Sequence, residues 1–453
     1  MPSPAVAHGP SPYKGPVGSL HHRCPLCPSR KATRSQLLRC SACRAFRYCS
    51  REHQVAHRPQ HKSACTKIKS ARSKLAREEH DVRNATPDFM TPANAFETEV
   101  GHFWGIVNTR DYMRARFMLT KRLFLLGTLD SVDEGLEHLR DMLRLCRSDN
   151  MGVRHIVPAV MLRLDLDQEC YDFMKWWATC DEDGTYNWGD TTLPYLDLRE
   201  ANALEDPEFL LGEYAELNYV VALLLLKLKL LIDVRGLKVA RKIFTQHHLP
   251  FELQDQIEQY VVRSPLSIKI QKESTKSLYK TEKKLLRQIR SLGTALMEIN
   301  HNFLYSLFEP EEALSNEPTS YSRGSWEEMA LAMQNAYSTW WETEGVLDLL
   351  KDARACAARD SESEIEDMMK DDKIRKHRTA AELLADISLN RIWGYLDYAV
   401  DNASYLGPWS ERPSERYTRE NRGSWARAVA EEEEFNALFD DEAGVIGEVG
   451  VTF

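Results

Sequence analysis

The sequence predicts a mainly α protein: a small head stapled by cysteine and histidine, followed by a larger α-helical, solenoid-like domain. Three observations lead there. Nine cysteines and histidines crowd residues 24–65, eight of them at the short intervals of metal ligands. Apolar residues recur three or four apart over most of 92–260, the period of helices with one buried face. Charge divides between the same regions: residues 1–80 carry sixteen Lys and Arg against three Glu, a formal +13, leaving −22 for the rest of a chain whose net charge is −9.

The head follows a Pro/Gly/Ser-rich stretch, "MPSPAVAHGPSPYKGPVGSL", expected to be a disordered tail over 1–20. It has no apolar segment behind a basic start, so a secretory signal is not expected, and neither are disulfides. Six of the ten cysteines (24, 27, 40, 43, 49 and 65) instead fall within 42 residues, which in a reducing compartment points to metal. The ligand-type residues run Cys24-x2-Cys27-x12-Cys40-x2-Cys43-x5-Cys49-x3-His53-x7-His61-x3-Cys65. Each C-x2-C is a knuckle that aims two thiolates at one point, about 2.3 Å from a zinc ion. The x3 spacings are i,i+4, which on a helix places both side chains on one face. Eight donors make two tetrahedral sites with no open position, and closed sites are structural rather than catalytic. His57 lies four residues from both His53 and His61 but has no vacancy to fill; His21 and His22 are read as tail residues. Spacing alone does not fix which pairs share an ion.

The segment resembles the MYND-type zinc finger. It carries two C-x2-C pairs, Tyr48-Cys49-Ser50, His53-Gln54, and His61-Lys62-Ser63-Ala64-Cys65 at that family's spacing, and it ends in H-x3-C where a RING finger would end in C-x2-C. The resemblance implies a cross-brace, with Cys24, Cys27, Cys49 and His53 on one zinc and Cys40, Cys43, His61 and Cys65 on the other. His53 stands where the family usually has Cys, giving two Cys3His sites. In members that bind peptides the groove is lined by a Ser, a Gln and a Trp. Ser41 and Gln54 match, and Arg58 takes the place of the Trp. Interleaved sites leave neither half able to fold alone, and each structural zinc supplies on the order of 10 kcal/mol to so short a segment.

Behind the finger (21–66) a basic helical linker is expected over 67–85, where Lys67, Lys69, Arg72, Lys74 and Arg77 are distributed around the helix. A helical domain follows over 86–262. Val132, Leu136, Leu139 and Leu143 form one stripe, and Cys170, Phe173, Met174 and Trp177 another, with turns at 127–131, 147–152 and 164–167. The stretch from Gly127 to Leu164 weakly resembles a tetratricopeptide-type repeat, with 214–232 and 235–244 as another candidate helix pair and an insert near 181–206. Such pairs stack into α-solenoids. The run "YVVALLLLKLKLLI" (219–232) is fourteen residues broken by Lys227 and Lys229. A membrane span needs roughly twenty apolar residues, so a buried helix is expected. A helical continuation covers 263–348, where Ser325 and Glu328 have the spacing of a capping box. A charged, acidic region with some helix covers 349–453, in which 350–376 reads as a loop or a solvent-facing helix.

No enzyme motif stands out. Asn300-His301 lacks the context of a lysine methyltransferase SET domain, and no G-x-S-x-G, P-loop or H-E-x-x-H is present. The expectation is therefore a non-enzymatic adaptor or regulator inside the cell, in nucleus or cytoplasm. It would hold two structural zinc ions and meet a protein partner such as a proline-rich peptide, with no membrane contact. The alternative is a nucleic-acid-associated regulator using the basic head; its helix lacks the interleaved aromatics that stack on bases.

Overall fold

In the computed structural model, which describes residues 20–27, 37–88, 91–212, 215–316 and 318–400, the head is a short hairpin laid against a long helix. Strands β1 (Leu38–Arg39) and β2 (Arg47–Tyr48) pair antiparallel, Leu38 opposite Tyr48. Their connection contains the second knuckle, closed by Cys40 N–H to Phe46 O at 2.8 Å and Arg44 N–H to Cys40 O at 2.9 Å. Helix α1 (Arg51–Arg83) starts at Ser50, whose hydroxyl accepts the His53 N–H at 3.3 Å as an N-cap. The helix runs unbroken for 33 residues out of the head and into the body. Pro59 lies inside it and removes one backbone hydrogen bond between the two i,i+4 pairs.

The body begins with α2 (Ala95–Thr98), α3 (Arg110–Phe124), α4 (Leu129–Leu145), α5 (Val157–Arg163) and α6 (Asp167–Thr179). The three turns read from the sequence separate these helices; Thr128 and Ser131 form a reciprocal capping box at the start of α4. An irregular stretch holding the expected insert leads to α7 (Leu217–His247), the centre of the molecule, where every residue from 219 to 237 is buried. The apolar run is thus a helix hydrophobic on all sides and surrounded by others. Its ionic residues are matched rather than exposed. Lys227 Nζ donates to Gln288 Oε1 at 2.7 Å and to the Ala203 carbonyl at 2.6 Å. Lys229 pairs with Asp165 at 2.7 Å and Asp167 at 2.9 Å, and Arg235 with Glu282 at 2.9 Å.

Helices α8 (Phe251–Val261), α9 (Ser267–Gln271) and α10 (Thr275–Ile299) return along α7. Next, α11 (Asn302–Phe308) and α12 (Glu311–Ser315) pack on α13 (Trp326–Glu342), which meets both α7 and α5. Arg163 of α5 and Glu342 of α13 form a buried bidentate pair, both bonds 2.8 Å. Finally, α14 (Val346–Met368), α15 (Asp372–His377), α16 (Ala380–Arg391) and α17 (Leu396–Val400) close the described chain. The body is mostly helical, but contacts are not confined to neighbouring pairs as in a solenoid.

Two expectations are corrected here, and one open alternative is resolved. The helix pair sought over 214–232 and 235–244 is one helix from Leu217 onward; Tyr214 lies outside the described residues. The would-be turn is held helical from across the core, because Asp233 accepts the backbone N–H groups of Arg263 at 3.0 Å and Ser264 at 2.8 Å. Ser325 caps α13 at the Glu328 N–H, but the Glu328 carboxylate bonds Gly324 N–H and Asn300 rather than closing a box. Of the two forms read for 350–376, the helical one is adopted, and α14 buries Ala353, Ala357 and Ile365 along one side. The acidic end, 401–453, lies outside the described residues.

Trp393, after α16, fixes this last segment by packing where α10 has no side chain: a Cβ on Gly293 would meet its ring at 2.4 Å. Gly293→Ala is therefore expected to cost about 1–3 kcal/mol in urea unfolding, by overpacking. Gly105→Ala, which faces open space, should stay within about 0.5 kcal/mol. Equal effects would refute the packing of Trp393 on α10.

Candidate metal centre

Local structure places the eight donors. Cys24 and Cys27 form a turn closed by Cys27 N–H to Cys24 O at 3.2 Å. Cys49 directly precedes the N-cap of α1 and His53 sits in its first turn, so the Ser50 cap also orients this pair. His61 and Cys65 share a face of α1 two turns on. The structure gathers Cys24, Cys27, Cys49 and His53 into one cluster and Cys40, Cys43, His61 and Cys65 into another, the donor atoms of each within 4.8 Å of one another. This is the interleaved pairing that the family resemblance implies.

The distances can be tested against zinc. Tetrahedral bonds of about 2.3 Å to sulfur and 2.0–2.1 Å to nitrogen require donor separations of about 3.8 Å for S···S and about 3.6 Å for S···N. In the first cluster His53 Nδ1 lies 3.1, 3.4 and 3.5 Å from Cys49, Cys27 and Cys24, and the Cys27 and Cys49 sulfurs are 3.3 Å apart. In the second, His61 Nε2 is 3.5 Å from Cys43, and Cys40 is 3.9 Å from Cys65. The two histidines thus offer opposite ring nitrogens; the second set's distances match a closed tetrahedron, and the first set is drawn in by up to about 0.5 Å.

The electrostatics are those of thiols that do not ionise together without a cation. Burial opposes ionisation of Cys24, yet hydrogen bonds from the Cys49 and Leu26 backbone and from His53 bring it down to about 7. Its neighbour Cys27 is pushed up to about 12 by the Cys49 thiol, by burial and by Cys24. In the other cluster burial drives Cys43 up to about 12, while Cys40 is lowered: burial opposes its ionisation, and the backbone N–H groups of Cys43 and Ala42 prevail. Three thiolates cannot coexist on their own charge. A divalent ion ionises them together and leaves each site at −1. What these arrangements do chemically is to cross-link the chain, with no position open to substrate.

His57 is buried and holds the hairpin instead of an ion. Its Nδ1 meets the Tyr48 hydroxyl at 2.9 Å, and its ring stacks on His61 at 5.7 Å. Of the expected peptide contacts, Ser41 and Arg58 are exposed. Gln54 is half-buried, and its Oε1 accepts from Arg51 at 2.5 Å.

Sequence reasoning missed what seats the finger on the body. Leu119, Leu123 and Leu126, from α3 and the residues just beyond it, share one apolar cluster with Cys43, Phe46, Tyr48, Ile68 and Ala71. Around it, Asp130 of α4 receives Arg39, Arg47 at 2.6 Å, and His22 at 3.5 Å, so His22 belongs to this contact and not to the tail. Glu134, one turn on, takes a bidentate pair from Arg72, which also donates to the Cys43 carbonyl at 2.8 Å. Burial opposes the charge on Glu134, but Arg72 and His138 bring its carboxyl down to about 2. No local signal marked these acids among the many of α4; the opposite charges of head and body were the one hint.

Residues 23–65 match the MYND finger family. No curated protein and no solved structure matches the chain. The chain thus carries a MYND-type finger, commonly a protein-interaction module, with two structural Cys3His zinc sites on a mostly helical body. No helix among the described residues is long and apolar enough to cross a membrane.

Two outcomes are expected. By elemental analysis, His57→Phe should retain two zinc ions per chain while losing about 1 kcal/mol with the Tyr48 bond, whereas His53→Ala should fall below two; zinc loss in His57→Phe would make it a ligand. Glu134 has a depressed pKa in the folded chain, so its contribution is full above its ordinary value of about 4.5 and disappears as pH falls toward about 2. In urea unfolding, the gap between wild type and Glu134→Gln, about 1–3 kcal/mol, should narrow as pH falls below about 4.5. A gap that widens below that pH would contradict the Arg72 pairing.

Proposed function

We propose that this chain is an interaction adaptor and not an enzyme: a rigid finger held on a helical scaffold and presented to a protein partner. The observation that carries this reading is the division of the finger into two sides. One side, with Cys43, Phe46, Tyr48 and Ile68, is spent on the body. The positions aligned with the family's peptide groove, Ser41, Gln54 and Arg58, lie outside that contact, and Leu38 and Val55, close to them in the chain, are exposed. Exposed aliphatic groups among hydrogen-bonding side chains are what a peptide-binding surface needs. The nucleic-acid reading is weakened by the same division, since Arg39, Arg47 and Arg72 are neutralised by Asp130 and Glu134.

The test is affinity purification of the intact chain beside a Cys40→Ser, Cys43→Ser variant and a Gln54→Ala variant that retains both zinc ions. Partners that need the finger should disappear with the first variant and weaken about three- to tenfold with the second. An unchanged set of partners in the first would refute the adaptor role of the finger.

A further inference from the structure

We infer that the finger's outward face takes an acidic, aliphatic peptide segment in extended form, rather than a neutral proline-rich one. This deepens the adaptor reading and rests on it. The argument begins with the basic residues of α1. Arg72 is taken by Glu134, and the Lys67 backbone carbonyl accepts from Arg122 of α3. Among the other basic residues, Arg77 and Arg83 pair with Glu78 and Glu79 and Lys74 lies on another side of the helix, whereas Arg51, Arg58, Lys62 and Lys69 are all exposed and share one side. At 100° per residue they fall within a sector about 40° wide, a straight row about 27 Å long. It points away from the face that buries His57, His61, Ile68 and Ala71.

None of the four makes an ion pair among the described residues; Arg51 donates to Gln54. Between Glu52, which lies about a quarter-turn off the row, and Glu78, α1 contains no acid at all. A row of like charges on one helix repels itself and is relieved by a polyanionic partner. Arg58 is a member of this row and also the residue in the place of the family's groove-lining aromatic, so the row and the candidate groove are continuous.

The neighbours of the row select the kind of anion. Flanking it on α1 are Gln54, an amide able to meet peptide backbone, and Val55, 56% exposed. The exposed large apolar side chains of the finger's described residues are Leu26, Leu38 and Val55, with no aromatic platform on which bases could stack. Aliphatic contacts and an amide suit a polypeptide. The register follows from geometry. The cations are separated along the axis by about 10.5, 6 and 10.5 Å, and an extended chain advances about 3.3 Å per residue. Carboxylates near i, i+3, i+5 and i+8, with Leu or Val between them, would therefore meet the row.

The experiment measures fluorescence anisotropy of the intact, zinc-loaded chain with four labelled probes. These are a peptide of that pattern, the same peptide with Ser replacing each acid, a neutral proline-rich peptide, and a single-stranded oligonucleotide of similar length. The acidic peptide should bind, weaken as salt rises, and lose about tenfold or more in affinity with Arg58→Glu, Lys62→Glu. Arg58→Lys, Lys62→Arg should stay within about threefold, and two zinc ions per chain in each variant exclude unfolding as the cause. Equal binding of the Ser peptide, or tighter binding of the oligonucleotide, overturns the inference. Binding of the proline-rich peptide alone, sensitive to Gln54→Ala, overturns it while leaving the adaptor reading standing. If no probe binds and the Cys40→Ser, Cys43→Ser variant keeps every partner, both fall.

Discussion

Helix α1 is the element that both zinc sites and the helical body have in common. It carries His53, His61 and Cys65, and its N-cap fixes Cys49, so half of the eight donors are positioned by one rigid rod. The other half arrive on two knuckles that have no core of their own. Metal closure, on the order of 10 kcal/mol per site, presses the knuckles and hairpin onto α1. The same rod then buries Ile68 and Ala71 against Leu119, Leu123 and Leu126. Without the ions the hairpin keeps only the Tyr48–His57 bond and the arginine pairs to Asp130, and the cover over the apolar surface of α3 loosens.

The charge asymmetry, +13 ahead of −22, is settled locally and incompletely. Asp130 and Glu134, a turn apart at the start of α4, neutralise three arginines and sit around an apolar contact, where charged hydrogen bonds are strongest. Inside the body the same pattern holds. Lys229 and Arg235 of α7 each end on acids from a different part of the chain, while Lys227 ends on the neutral Gln288 and on backbone carbonyls. Removing one member of such a pair costs more than the pair contributes, because the other is left buried and charged.

How much of this was legible in the sequence depends on the range of the interaction. Zinc ligands at i,i+3 and i,i+4 are local, and the donors Cys24 to Cys65 could be read directly. So could the N-cap at Ser325, since a hydroxyl and a backbone N–H three residues on need no distant partner. The apolar run of α7 was readable as buried, yet its length was not, because the bonds from Arg263 and Ser264 that keep Asp233 helical come from about thirty residues away. The docking acids were invisible for the same reason: Asp130 is over eighty residues from Arg47. The Trp393 contact with Gly293 lies a hundred residues apart in the chain, and neither residue announces it.

The continuity of α1 has a mechanical consequence. A finger on a flexible tether would search for its ligand independently, and the remainder of the molecule would contribute nothing but local concentration. Here the finger leaves no hinge between Cys65 and Arg83, so its outer surface keeps one fixed bearing to the scaffold. A partner that touches both must match their spacing from the outset. Bivalent engagement is then set by shape and not by tether length, which makes the scaffold a gauge that admits ligands of the right span and excludes the others.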